Sequence, residues 1–417
     1  MKNRWRAAPW VGVFIAITYG QSWSQESACP TLVTLKDVIS CVMEHHPRVL
    51  EGKLAAEKGL LLDDVAKQRP NPSLNSRNLF PASSQANGVN SEIDIAQPIE
   101  WGGKRKARRE TARAEKNLIE TSLRLAQEEV MIETMLDLQR LRQIEAELEV
   151  FQETIATYGH IQKQFKRRPQ LTPEQQVSTS VFHLAEMDTH FQKSSLLAEQ
   201  SALFSELEYS LGKKIEFSPS LHTELSTLLK KRLSESKESG SSGLVEQSKA
   251  SLFLFRSEVE RQKSERWPNL TLGPSYDGNA LGSTGGNHTV GFNISIGIPV
   301  WQRNQAGVII AEKEAMIAEK TLHWQQRSIE TQKKRWKNQY DLALVSLKAA
   351  IQKEEIESKH KKVESLYDRG FLPSSLVIEA HRQVLDYTRH QHEQEKLLVE
   401  AQYRLYALEG RLLKEML

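Results

Sequence analysis

The side chains first raise the question of metal chemistry. The chain holds twelve histidines and two cysteines. Two imidazoles on one helix can share an ion only at i, i+3 or i, i+4, where both rings leave the same face. His45 and His46 are adjacent, and His390 and His392 are two apart. Neither pair meets that requirement, so the histidines read as scattered surface residues. Covalent and phosphate chemistry have no better support: no Cys-x-x-Cys, His-Glu-x-x-His, phosphate loop or Gly-x-Ser-x-Gly occurs. The glycine-rich run "GNALGSTGG" (278–286) follows no buried strand and opens no helix, which makes it a loop. The sequence assigns no metal, cofactor or catalytic residue, and an enzyme is not expected.

A second chemistry is electrostatic. "AQPIEWGGKRKARR" (96–109) passes abruptly from apolar residues to five cations, Lys104, Arg105, Lys106, Arg108 and Arg109. Such a cluster suits a nucleic-acid patch. Yet 56 Lys+Arg against 53 Asp+Glu leave a net charge of only +3, short of the excess such binders carry. No nucleic-acid partner is expected. Two readings of the cations stay open: contact with anionic headgroups past a membrane strand, and a solvated face at the start of a helix. The two cysteines, Cys29 and Cys41, follow a segment with the features of an export signal. Lys2, Arg4 and Arg6 precede an apolar stretch (7–20), with Ser22 and Ser24 at cleavage positions, so residues 1–24 are read as a signal peptide. Export to an oxidising compartment favours a Cys29–Cys41 disulfide. Lipid attachment at Cys29 is the alternative, although Glu26 stands where a lipobox places leucine.

An internal repeat shows which elements must carry these residues. "RPNPSL" (69–74) pairs with "WPNLTL" (267–272), and "AQPIEW" (96–101) with "GIPVW" (297–301). "QLTPEQQV" (170–177) pairs with "FLPSSLVI" (371–378), and "SLGKK" (210–214) with "LEGRL" (408–412). All four offsets lie near about 200 residues, the mark of a duplicated unit. The expected organisation is a first repeat over 25–215, a Ser/Gly-rich linker over 216–242, and a second repeat over 243–417. In each, a helix (35–67, with Thr34 as N-cap, and 243–266) leads to a strand pair (73–98 and 270–300). A very long helix follows (105–165 and 306–366), then a tight turn and a shorter helix. At 1.5 Å per residue each long helix would reach roughly 90 Å, and helices of that length need partners along their whole course. No later run of apolar residues is long enough for a transmembrane helix.

The strands decide the class. In "HTVGFNISIGIPV" (288–300), Val290, Phe292, Ile294, Ile296 and Ile298 fall on one side, and glycine, asparagine and serine on the other. "SEIDIAQPI" (91–99) alternates less regularly, through Ile93 and Ile95. A soluble sheet with one buried face gives the same alternation. Against that, the strands approach the length that crosses a bilayer, and no further strands complete a sheet. Four strands cannot close in lipid, where every backbone group must be paired, and membrane barrels begin at about eight strands. The barrel must then be shared, by two copies or by three. Trp101 and Trp301, where each strand pair ends, suit a membrane–water interface. The polar tips (81–90 and 277–288) suit external loops.

At these residues the chain resembles the TolC-like outer-membrane efflux channel family. "AQPIEWGGKRKARRETARAE" (96–115), "ISIGIPVWQRNQAGVIIAEKEA" (294–315) and "YDRGFLPSSLVIEAHRQVL" (367–385) carry the resemblance. The "GGKR" and "RNQ" forms look most like the branch similar to the CzcC and CusC heavy-metal efflux channels. The resemblance implies a mainly α-helical homotrimer in the outer membrane of a Gram-negative bacterium. Its long helices would form a periplasmic α-barrel, and four strands per protomer a shared twelve-stranded β-barrel embedded in outer-membrane lipid. It further implies a periplasmic adaptor, an inner-membrane pump of the resistance-nodulation-division type, and passive conduction of substrate, here heavy-metal cations. Drug efflux, type I protein secretion and a soluble periplasmic coiled-coil scaffold are the alternatives. In the family the tip turns form the gate and meet the adaptor; the matching positions are Leu171, Thr172, Gln176, Gly370, Leu372, Ser374 and Leu376. Two departures stand out: the first turn lacks the usual glycine, and Gln176 and Leu376 stand where some members carry an aspartate ring.

Overall fold

The computed structural model describes residues 34–80, 90–212, 219–228, 240–279, 288–351 and 353–416. The expected signal peptide (1–24), Cys29 and most of both expected strand tips (81–89 and 280–287) lie outside them. Thr34 caps the first helix, α1 (Leu35–His45): its hydroxyl accepts the Asp37 amide while the Asp37 carboxylate accepts the Thr34 amide, a closed capping box. The sequence predicts one helix over 35–67, but the chain leaves helical geometry at His46 (ψ 128°) and restarts as α2 (Pro47–Ala66). Pro47 explains the break. Its ring disfavours helical backbone at the preceding residue, while proline itself fits a first helical turn.

The strands β1 (Ser73–Leu79) and β2 (Asn90–Ile99) come next, followed by α3 (Lys104–Lys166) and α4 (Pro173–Leu211). Then α5 (Pro219–Leu228) forms within the segment 216–242 expected to be only a linker. Its Leu221 and Leu225, one helical turn apart, are fully buried against α1 and α3, so apolar packing overrides the polar composition of the segment. The remainder is α6 (Gly243–Ser264), β3 (Leu270–Asn279), β4 (His288–Ile296), α7 (Gln305–Ala349), α8 (Lys353–Asp368), α9 (Ser374–Leu408) and α10 (Leu412–Met416). The order helix, two strands, long helix, turn, helix thus occurs twice.

α3 runs unbroken for 63 residues, a rod of ~95 Å. Its counterpart, expected as one helix over 306–366, is two. The backbone turns extended at Ala350 (φ −65°, ψ 142°). The Ile351 amide donates to the Tyr387 hydroxyl of α9 at 2.6 Å. No proline or glycine stands at the break, so local sequence does not announce it.

The helices bury a series of apolar clusters along their length. The largest joins α1, α3, α4, α5, α9 and α10 through Val42, Met135, Leu138, Leu207, Leu225 and Tyr403. A middle cluster sets Ile144 and Phe151 against Leu196 and Leu385. The cluster at the far end packs Tyr158, Phe165 and Phe182 with Val377. Because α9 belongs to the second repeat and α3 to the first, each of these clusters stitches the two copies together.

Candidate channel wall and tip turns

The sheet is antiparallel in the order β1-β2-β3-β4, and among the described residues β1 and β4 each keep an unpaired edge. Its register lines up the apolar residues across strands. Val290, Phe292, Ile294 and Ile296 stand opposite Tyr276, Pro274, Leu272 and Leu270. Tyr276 in turn faces Ile93, and Leu74 faces Ile95. This face is bare: Phe292 is 81 % and Val290 78 % exposed, and Ile93, Ile95 and Ile294 are exposed as well. A sheet folded against its own helices would have buried it. Ile298, expected on β4, lies two residues past its end but is equally exposed. The opposite face is polar, with the Asn75 amide donating to Asp94 at 2.9 Å and Arg77 near Glu92. β2 and β3 run so close at Gly273 that any side chain there would overlap the Ile95 carbonyl.

At the base of the sheet the Trp101 indole donates to the Pro268 carbonyl and meets Trp267 edge-on, with ring centroids 5.8 Å apart. Trp301 is 92 % exposed. Trp267 completes this aromatic group, although strand alternation gave no sign of it. Most of the cations that follow Trp101 are held by partners within the chain. Lys104 is buried, 2.7 Å from the Asn269 side chain and 3.2 Å from Glu265. Arg105 and Arg108 donate to the last carbonyls of α2 and the residues just past it: Lys67, then Ala66 and Gln68. There they satisfy acceptors the helix leaves open and offset its negative end. Arg108 also clasps Glu100, and Arg109 forms a two-pronged pair with Asp63. Of the five, Lys106 is the most exposed, at 82 % for its side chain, and Arg105, Arg108 and Arg109 are half-exposed on the same solvated start of α3.

At the opposite end the two turns are built differently. The first has no glycine, and α4 starts there with a capping box between Thr172 and Gln175. The second closes on Gly370 at φ 79°, with the Phe371 amide bonded to the Leu366 carbonyl and Gly370 to Tyr367, a Schellman motif. Of the residues expected at these turns, Leu171 packs half-buried on the tip cluster. Thr172 and Gly370 shape the backbone, and Leu372 and Ser374 are half-buried. Gln176 and Leu376 point to solvent, as do the large apolar Phe371 and Val177, which the sequence reading left out.

No protein-family model matches the sequence, and no curated protein matches it. Solved structures do. The Campylobacter jejuni CmeC outer membrane channel matches with a TM-score of 0.70 over 94% of this chain and 90% of that one, at 12% identity. CusC matches at 0.66 over 93% and 95%, with 13% identity. The Neisseria gonorrhoeae MtrE outer membrane channel, in its open state, matches at 0.66 over 90% and 89%, with 13% identity. The fold is that of these channels. The likeness to CusC is no greater than that to CmeC, so the narrower heavy-metal branch is not singled out. Among the described residues no helix is long and apolar enough to cross a membrane.

In this channel fold the helical shaft holds polar groups that the sequence reading missed. Glu147, buried in α3, accepts from Arg140 at 2.8 Å and from the His392 ring of α9 at 2.7 Å. Burial alone would raise its pKa, but the hydrogen bonds from His392 and Arg140 hold the carboxyl below the usual range. Gln143 donates to the His392 carbonyl, and Arg142 pairs with Glu395. The histidines are therefore not all surface residues: His46, His360, His381 and His392 are buried. Apart from Arg140, which shares α3 with Glu147, these partners lie on different helices, so sequence spacing could not reveal the pairs. Cys41 is buried on α1.

Proposed function

We propose that this chain is the outer-membrane channel subunit of a tripartite efflux system, and that three copies pool their strands into one twelve-stranded barrel. The single observation that carries the reading is the open four-stranded sheet, apolar and bare on one face and polar on the other, with a free edge on each side. An open sheet in lipid must close, and only other copies can supply the missing strands. Val290, Phe292, Ile294 and Ile296 then meet lipid, with Ile298 at the rim; Trp101, Trp267 and Trp301 mark the interface. The tip turns, with exposed Val177, Phe371 and Leu376, serve as the gate and the docking surface for a periplasmic adaptor and, through it, an inner-membrane pump. Substrate passes passively down the bore. Heavy-metal cations are the favoured cargo, on the resemblance of "GGKR" and "RNQ" to one branch of the family. A Cys29–Cys41 bridge pins the N-terminal segment to α1.

Fractionation and reconstitution test this reading together. The purified protein should fractionate with the outer membrane, run as a trimer in mild detergent and give ion-conducting steps in planar bilayers. A monomer recovered from the aqueous fraction would overturn it. A deletion strain tests the cargo: it should become sensitive to metal salts before it becomes sensitive to drugs.

A further inference from the structure

We propose that His360, Glu364 and His381 form a binding site for a zinc-class divalent transition metal, bridging α8 and α9 beside the second tip turn. His360 and Glu364 are four residues apart on α8, one above the other on a single face. His381 arrives from α9. One ligand atom from each lies within 4.8 Å of the other two. His381 Nε2 is 3.6 Å from Glu364 Oε1, close to the roughly 3.4 Å that separates two ligands of a tetrahedral ion. The two imidazoles meet edge to face, with centroids 4.2 Å apart.

Hydrogen bonding separates a ligand set from an ordinary packed cluster. Buried polar atoms almost always have partners. Here the Nε2 atoms of both His360 and His381 are buried without a hydrogen bond, in residues only 8 % and 1 % exposed. His381 Nδ1 lies 2.9 Å from the Val377 carbonyl. That contact requires the proton on Nδ1 and leaves a lone pair on Nε2. His360 Nδ1 faces the Glu153 carboxylate at 4.0 Å. Ligating histidines are commonly held in this way, with one nitrogen turned to an oxygen and the other left for the metal. Glu364 is positioned too, since the Thr157 hydroxyl donates to its Oε1 at 2.8 Å. An open cleft lined by Thr157, His160, Tyr367 and Asp368 reaches the Glu364 carboxylate from solvent. Two imidazoles and a carboxylate, with no thiolate, suit zinc, cobalt, nickel or copper dications rather than a soft monovalent ion. Direct binding tests this site whether or not the chain conducts anything.

The full chain, purified in detergent and stripped with chelator, is titrated with Co2+ and followed by its visible ligand-field bands, then challenged with Zn2+. The site requires one ion per chain, displaced by Zn2+. Affinity should fall about tenfold or more in both His381→Gln and Glu364→Gln, and stay unchanged in His323→Ala, which alters an exposed histidine. Glu364 lies on the rim of the cleft and only half-buried, so Glu364→Gln remains informative if the buried His381 variant unfolds. Absence of stoichiometric binding, or binding that Glu364→Gln leaves intact, overturns the proposal.

Discussion

Asp137 and Glu147 lie ten residues apart on α3 and are driven in opposite directions by their neighbours. Burial, then the nearby Glu206 and Glu133 carboxylates, push the Asp137 carboxyl up to about 7. The folded chain therefore holds that proton more tightly than the unfolded chain, and stability falls as pH rises from about 4 to about 7. Asp137→Asn should melt at a higher temperature than the parent at pH 8. The gain is on the order of 1–2 kcal/mol after allowance for partial solvent access, and it vanishes near pH 4. Glu147 shows the reverse: His392 and Arg140 favour its charge, so its contribution is present above the ordinary carboxylate range and lost on acidification. Glu147→Ala leaves the buried His392 ring without its carboxylate and Arg140 with Glu199 as its remaining partner, and should cost roughly 2–4 kcal/mol in thermal or urea unfolding at pH 7. Neither behaviour was legible in the sequence. Glu147 and His392 are 245 positions apart, and no spacing rule reaches across two repeats. The same holds for His381, whose side-chain neighbours His360 and Glu364 sit on another helix. Trp101 was legible because it closes an alternating run, whereas Trp267 was not, because it precedes one.

The strands and helices were legible to different degrees. Alternation from Val290 to Ile296 located β4 and its bare face, because a period of two is imposed by the pleat itself. That face supports a paired test. In the proposed barrel, Ile294→Arg places a cation on the apolar side and should cost about 2–4 kcal/mol at mid-membrane depth; the readout is loss of heat-resistant trimer on gels. Asn293→Arg, one residue away on the polar side, should leave the trimer intact and change only ion selectivity in bilayers. Equal loss in both variants would remove the lipid-facing assignment. At the second tip turn, Gly370→Ala forces a side chain into left-handed backbone (φ 79°) with open space around it, so conformational strain alone should cost about 1–2 kcal/mol. Breaks in helices were harder to read. Pro47 could have been taken as a stop signal, but the break at Ala350 depends on Tyr387, 36 residues after Ile351. Likewise α5 hides in a polar segment because its buried apolar side rests on Leu221 and Leu225, and its Glu224 accepts the Leu35 amide of α1, a contact no spacing announces.

Across the whole molecule, duplication was the most legible property, since motifs recurring in the same order fix the succession of elements without any knowledge of contacts. How the copies pack was not legible, because α3 reaches α6 and α9 of the second copy through side chains of no distinctive type. A rod of 63 continuous helical residues resists bending, because a sharp kink disturbs its backbone hydrogen bonds. At Ala350 that ladder is already interrupted. The chain thus pairs a continuous strut, α3, with a jointed one, α7 and α8, and an unbroken α9 spans the joint. Any bend at that joint has to flex α9 as well, so the two struts differ in stiffness by a single interrupted hydrogen-bond ladder.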